Sequence, residues 1–340
     1  MPVAITARAG ISPSDSTRHH LRPPSHKNMP ARLGPTEASA GALTERTWED
    51  GGMSETAAEL ADLAEEAARN VGPYLTDAFL DPGRIDLKLD FHDVVTVHDK
   101  ESQRRLCATL FSGAPGSLIR GEEEDGLLDR DGRARTATDD DVVWYVDPID
   151  GTSNFATGFD HWCVSIAAAR GGELIAAVIY QPTLGILYRA DDSGAFRNGQ
   201  RLAVRRAPLN EGVVATEFPS PRVPDKQQAA ADFTRLVGTA RSTRRCGSTA
   251  LALAEVAAGH FLATFNRGTH PWDVAAGILL VQRAGGFYLG CDDDGPLYRR
   301  NLALAPNFAA AATLDAANFC LDVLGRPDLH AGEGESANRA

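Results

Sequence analysis

Apolar residues recur at helical spacing through Leu60, Leu63, Ala64, Ala67 and Val71, and Thr56-x-x-Glu59 just before them can close a capping box. A helix is therefore predicted over Thr56–Asn70, ending before Pro73. A short strand end at Asp93–Val97 precedes a second helix over Glu101–Leu110, for which Asp99 is an N-cap candidate. Ser117–Arg120 reads as a strand running into Gly121-Glu122-Glu123, and the acidic, glycine-containing stretch Asp125–Asp141 as a mobile loop. Val142–Val146 is β-branched and aromatic, which predicts a buried strand that stops at Asp147-Pro148. Trp162–Ala169, Leu174–Tyr180 and Ile186–Arg189 follow as strands, with Asn198-Gly199 as a two-residue hairpin signal. This part of the chain should form a largely antiparallel meander.

After about Pro208 the pattern alternates. The predicted order is strand Val213–Thr216, helices Gln227–Val237 and Ala250–Ala258, strand Phe261–Phe265, helix Val274–Ala284, strand Leu302–Ala305 and a last helix over Ala309–Leu324. Alternation of this kind argues for an α/β C-terminal half, 209–330, on an α+β N-terminal half, 54–208. Residues 1–53 are proline-rich with neither period and are expected to be disordered. All three methionines, Met1, Met29 and Met53, lie there, so translation is expected to begin at Met53. The polar residues 331–340 are expected to fray.

Composition narrows the function. With 340 residues, 43% hydrophobic and 24% charged, the chain is an ordinary globular one. Its net charge of −12 disfavours a nucleic-acid polymer or an anionic membrane as partner. An anionic substrate would need a positive group that the side-chain count omits, such as a bound metal. The five cysteines, Cys107, Cys163, Cys246, Cys291 and Cys320, form no C-x-x-C pair and read as reduced thiols. No apolar run reaches bilayer length and no secretory block opens the chain, so a cytoplasmic location is expected.

Chemistry concentrates in a few acidic segments. Asp147-Pro148-Ile149-Asp150-Gly151-Thr152 puts two carboxylates in one turn after a strand, an oxygen-rich arrangement that suits Mg²⁺. A helix beginning at Gly151 or Thr152 would aim N–H groups at the same point, where they could hold phosphate. Each acid also has an ordinary reading. Glu122 and Glu123 alone would be a solvated acidic run, and Asp273 at the head of an apolar helix would be a cap. No D-x-D-x-T/V follows a predicted strand and no phosphate loop G-x-x-x-x-G-K-S/T occurs, while the one C-x₅-R spacing, Cys320–Arg326, starts inside the predicted last helix and so forms no cysteinyl-phosphate loop.

Taken in order, the motifs Asp93-Val94-Val95-Thr96 with Asp99, Gly121-Glu122-Glu123, Asp147–Phe155 (DPIDGTSNF) and Trp272–Gly277 (WDVAAG) resemble those of the inositol monophosphatase family, the Mg²⁺-dependent, lithium-sensitive phosphatases. The resemblance spans roughly Glu55 to Leu324. It implies a layered α/β/α/β/α sandwich of the inositol monophosphatase and fructose-1,6-bisphosphatase type, and a homodimer. It implies metal ligation by Glu122, Asp147, the Ile149 carbonyl, Asp150 and Asp273, with Asp99 and Thr152 positioning the attacking water. Gly151 and Thr152 would hold phosphate; Asp150, Gly247, Ser248, Thr249 and Asp273 would line the alcohol side. Asn266 stands where inositol-hydrolysing members present a glutamate. Inositol 1-phosphate is the expected substrate. Histidinol phosphate, fructose 1,6-bisphosphate and adenosine 3′,5′-bisphosphate are in-family alternatives, and a non-catalytic metal-dependent binding protein is the alternative outside catalysis. Arg245 and Arg267 are candidates for a second anionic group, and His270 reads as a packing or capping residue.

Overall fold

The seven-stranded and five-stranded sheets of this protein are held apart by a layer of helices. The structure, a computed structural model, describes residues 55–80, 85–87, 94–219 and 225–331. The expectations for residues 1–53, for Asp93 and for 332–340 lie outside those residues.

In chain order the elements are α1 (Ala57–Leu80), β1 (Ile85–Leu87), β2 (Val94–Thr96), α2 (Val97–Gly113), β3 (Leu118–Gly121), β4 (Val142–Asp150), α3 (Thr152–Thr157), β5 (Cys163–Arg170), β6 (Glu173–Gln181), β7 (Ile186–Asp191), β8 (Gly194–Arg197) and β9 (Gln200–Arg201). Then come β10 (Val213–Ala215), α4 (Lys226–Thr239), β11 (Ser242–Arg244), α5 (Thr249–Ala257), β12 (Ala263–Arg267), α6 (Pro271–Arg283), β13 (Phe287–Cys291), β14 (Asn307–Ala311) and α7 (Leu314–Val323). Strands β3 to β9 form one sheet in sequence order, antiparallel except for the parallel β3–β4 pair. The second sheet has the order β11-β10-β12-β14-β13.

Strand alternation decides which layer each side chain meets. On β5, Val164, Ile166 and Ala168 pack with α1 and α2, whereas Cys163, Ala167 and Ala169 pack with α5 and α6. On β14, Phe308 and Ala310 face the α5–α6 layer and Ala309 and Ala311 face α4 and α7. The order is therefore helices, sheet, helices, sheet, helices. This is the five-layer sandwich that the motifs implied. The hairpin signal also holds: Asn198 and Gly199 have φ of 47° and 79° between β8 and β9, as a type I′ turn requires.

Several expected boundaries are corrected. α1 runs through Pro73 to Leu80 because its apolar stripe continues with the buried Val71, Leu75 and Ala78. That burial offsets the ~3 kcal/mol that an interior proline costs. α2 begins earlier, with Thr96 as N-cap and Asp99 three residues inside the helix; Thr96 N–H and Oγ1 each donate to Asp99 Oδ2 at 2.7 Å. β4 does not stop at Asp147-Pro148 but continues to Asp150, with the ladder to β5 shifted between Asp147 and Asp150. Pro148, which has no N–H to donate, falls inside that irregularity. Leu302–Leu304 is a 3₁₀ turn and not a strand, and Ala309–Ala311 belongs to β14 and not to the last helix. Alanines at full burial on both faces suit the narrow space between two helical layers.

Candidate active site

Four chain segments deliver acids to one place. The bulge at the end of β4 supplies Asp147 and Asp150, which are 3% and 8% exposed. The turn after β3 supplies Glu122 and Glu123. Glu122 N–H donates to Val146 O at 3.2 Å, which ties that turn to β4. The first turn of α2 supplies Asp99, fully buried. One carboxylate oxygen from each of Asp99, Glu122 and Glu123 lies within 4.8 Å of the others. Asp273 reaches the group from the first turn of α6, where its Oδ2 accepts His270 N–H at 2.8 Å.

Like charges so arranged repel. Burial, followed by the charges of Glu122, Asp150 and Asp273, holds the Asp147 carboxyl well above its usual range. Burial also raises Asp99, to about 6, against the opposing bonds from Thr96, and Glu122 and Glu123 add to the rise. Asp150 is raised by burial too, although Ser248 Oγ and the Ala250 N–H, at 2.8 Å, donate to its Oδ2. A set of hard oxygen donors that disfavour one another's charge fits a divalent cation, which turns each repulsion into an attraction.

Around the acids the structure arranges polar contacts. Thr152 Oγ1 lies 3.2 Å from Asp99 Oδ1 and 3.1 Å from the Ile149 carbonyl. Gly151 takes φ of 97° as it turns the chain from β4 into α3. A methyl there would come to 3.1 Å from His161 O and 3.2 Å from Gly247 O. Gly151→Ala is therefore expected to lower stability by about 1–3 kcal/mol and to raise KM for a phosphomonoester. Thermal melting and steady-state kinetics would read both, and an unchanged melting point would show that the turn tolerates a side chain.

On the other side, Ser248 caps α5 and binds Asp150, while Asn154 Nδ2 donates to Cys246 O at 2.8 Å and so ties α3 to the turn before α5. Asn266, 5% exposed, accepts Glu217 N–H at 2.6 Å and donates to Thr249 Oγ1 at 3.2 Å. Arg245 donates to Glu217 at 3.1 Å, and Glu217 also accepts Gly247 N–H at 2.7 Å. Arg267 lies elsewhere in the bonding scheme, donating to Leu324 O. His270 stacks on Trp272 with ring centroids 4.9 Å apart.

Of the residues expected from the sequence, these contacts group Asp99, Ile149 and Thr152 on one side and Asp150, Gly247, Ser248, Thr249 and Asn266 on the other, Glu122, Asp150 and Asp273 act on Asp147 by charge, and Arg267 stands apart. The motif Asp93–Thr96 contains Thr96, but its capping role was not read from it, although Thr96-x-x-Asp99 has the same spacing as the capping box Thr56-x-x-Glu59. No role was read for Asn154, which lies within DPIDGTSNF, or for Gln103 and Glu217, which belong to no motif; the partners of Gln103, Asn154 and Glu217 lie 20, 92 and 30 residues away.

The pattern of the inositol monophosphatase family matches residues 56–321. The chain belongs to that family. An inositol-1-monophosphatase of Rhizobium meliloti (strain 1021) is 35% identical over 205 residues, 60% of this chain and 74% of that relative. Nus factor SuhB of Escherichia coli (strain K12) is 36% identical over 234 residues, covering 67% and 83%. Among solved structures, an IMPase of Thermotoga maritima superposes with a TM-score of 0.65 at 29% identity, over 78% of this chain and 97% of that one. Family members thus carry both a phosphatase name and a Nus factor name.

Proposed function

We propose that this family member is a Mg²⁺-dependent phosphomonoesterase that hydrolyses a small polyol or sugar phosphate, with inositol 1-phosphate as the preferred candidate. The observation that carries this reading is the convergence of Asp147 and Asp150, Glu122, and Asp273 from three segments, with the Asp147 carboxyl raised by burial and then by the other three charges. Glu122, Asp147, the Ile149 carbonyl, Asp150 and Asp273 would hold the metal. When bound there, Mg²⁺ would acidify a water and neutralise charge on the leaving oxygen.

The chain's own groups do the rest. The Thr152 hydroxyl, between Asp99 and the Ile149 carbonyl, orients the attacking water, and the buried Asp99 carboxylate takes up its proton through that hydroxyl. Backbone N–H groups of Gly151 and Thr152 bind phosphate oxygens, and their fixed geometry avoids reorganisation as charge develops. The alcohol portion lies towards Gly247, Ser248, Thr249 and Asn266. A purely binding role for the scaffold is disfavoured because each metal-holding acid and the Asp99–Thr152 pair are present. We also infer a homodimer and a cytoplasmic location, the latter supported by the finding that no helix among the described residues is long and apolar enough to cross a membrane.

A panel of phosphomonoesters and bisphosphates, assayed with Mg²⁺ and with and without Li⁺, tests this reading. Inositol 1-phosphate should be turned over fastest, and Li⁺ should inhibit. Asn266→Glu should shift the ratio of rates further towards inositol phosphate by about the 10-fold that one charge-assisted bond can supply. An unchanged ratio would remove Asn266 from the selecting groups, and turnover of none of the panel would overturn the reading.

A further inference from the structure

Asp99 and the Glu122–Glu123 turn come from different elements, so something must fix the distance between them. α2 carries Asp99, Ser102, Gln103, Leu106 and Leu110 on its buried face, polar near the site and apolar further along. Gln103 is only 2% exposed, and its Oε1 accepts the Glu123 N–H at 3.0 Å. The neighbouring Glu122 N–H is held by Val146 O of β4 at 3.2 Å. Two successive N–H groups thus clasp the turn between β4 and α2. Gly121 makes room for this arrangement, since a methyl on it would overlap the Gln103 carboxamide.

We propose that Gln103 is a positioning residue for the divalent-cation site, its carboxamide oxygen holding the Glu122–Glu123 turn at a fixed distance from Asp99 one helical turn away. The inference rests on the reading that Glu122 holds Mg²⁺. Without this bond the half-buried Glu123 N–H loses its acceptor, and the turn relaxes away from α2 under the repulsion among Asp99, Glu122 and Glu123. Glu122 then offers its oxygen from the wrong place.

The test is Mg²⁺ binding by isothermal titration calorimetry on the chelator-treated full chain, alongside KM at saturating Mg²⁺. Gln103→Met, of similar volume but with no amide, should weaken Mg²⁺ binding about 10–100-fold, the range seen when an outer partner of a metal ligand is lost. KM for the phosphomonoester at saturating Mg²⁺ should stay within about 2-fold, because the phosphate-binding N–H groups lie on another segment. Gln103→Glu keeps an acceptor oxygen and should restore most of the affinity. Gly121→Ala displaces the carboxamide and should weaken Mg²⁺ binding as Gln103→Met does, with little further loss in the double variant. Wild-type affinity in Gln103→Met, a Gln103→Glu variant as weak as Gln103→Met, or additive losses in the double variant would each overturn the proposal while leaving the phosphatase reading intact. A wild-type chain that binds no Mg²⁺ would overturn both.

Discussion

Asp147→Asn is expected to reduce phosphate release by more than about 100-fold, the upper end of what the loss of an outer-shell partner costs at a metal site. The change removes one negative charge and almost no volume. Asn still presents an oxygen to the Ile149 N–H, which donates to Asp147 Oδ1 at 3.0 Å, so the bulge in β4 keeps its local bond. What disappears is the charge at the centre of the set, the one that Glu122, Asp150 and Asp273 all act upon. Far-UV circular dichroism should therefore be unchanged. The melting temperature of the metal-free variant should be no lower than that of the metal-free wild type, since one member of a repelling cluster is gone. Turnover that survives the substitution would remove Asp147 from the centre of the proposed mechanism.

Exhaustive chelation should abolish hydrolysis, and added Mg²⁺ should restore it. The same treatment should lower the melting temperature, because the proposed ions would bind a site that exists only when β4, the turn after β3 and α6 are assembled. At a Mg²⁺ concentration ~100 times its dissociation constant, binding contributes about 2.7 kcal/mol to stability. For a domain of this size that corresponds to a shift of about 4–5 °C. Differential scanning calorimetry in chelator and in Mg²⁺ measures it. A melting temperature indifferent to both, with hydrolysis that persists in chelator, is the result that would refute metal-assisted chemistry here.

Much of this molecule was legible in the linear pattern. The strands of the larger sheet follow β-branched and aromatic runs punctuated by Gly171-Gly172 and by Asn198-Gly199, signals that act within a few residues. The motif-bearing acids were legible because two of them sit three residues apart in DPIDG and Asp273 opens an apolar helix. Two of the misplacements share one cause. Pro73 reads as a stop and Ala309–Ala311 as helix when judged by local preference, yet burial in the layers decides both.

Short-range chemistry in the sequence by itself determined the types of the main elements, the hairpin, the acids available for a cation and the family. It did so because turn geometry, capping and periodicity act between near neighbours. Only the tertiary structure decided that Glu122, Asp147, Asp150 and Asp273 share one field, that Thr152 bridges Asp99 and the Ile149 carbonyl, and that Gln103 clasps the acidic turn. The Thr152–Asp99 contact joins residues 53 positions apart and the Ser248–Asp150 contact residues 98 apart. Such contacts arise from packing five layers together, and no local rule along the chain encodes them.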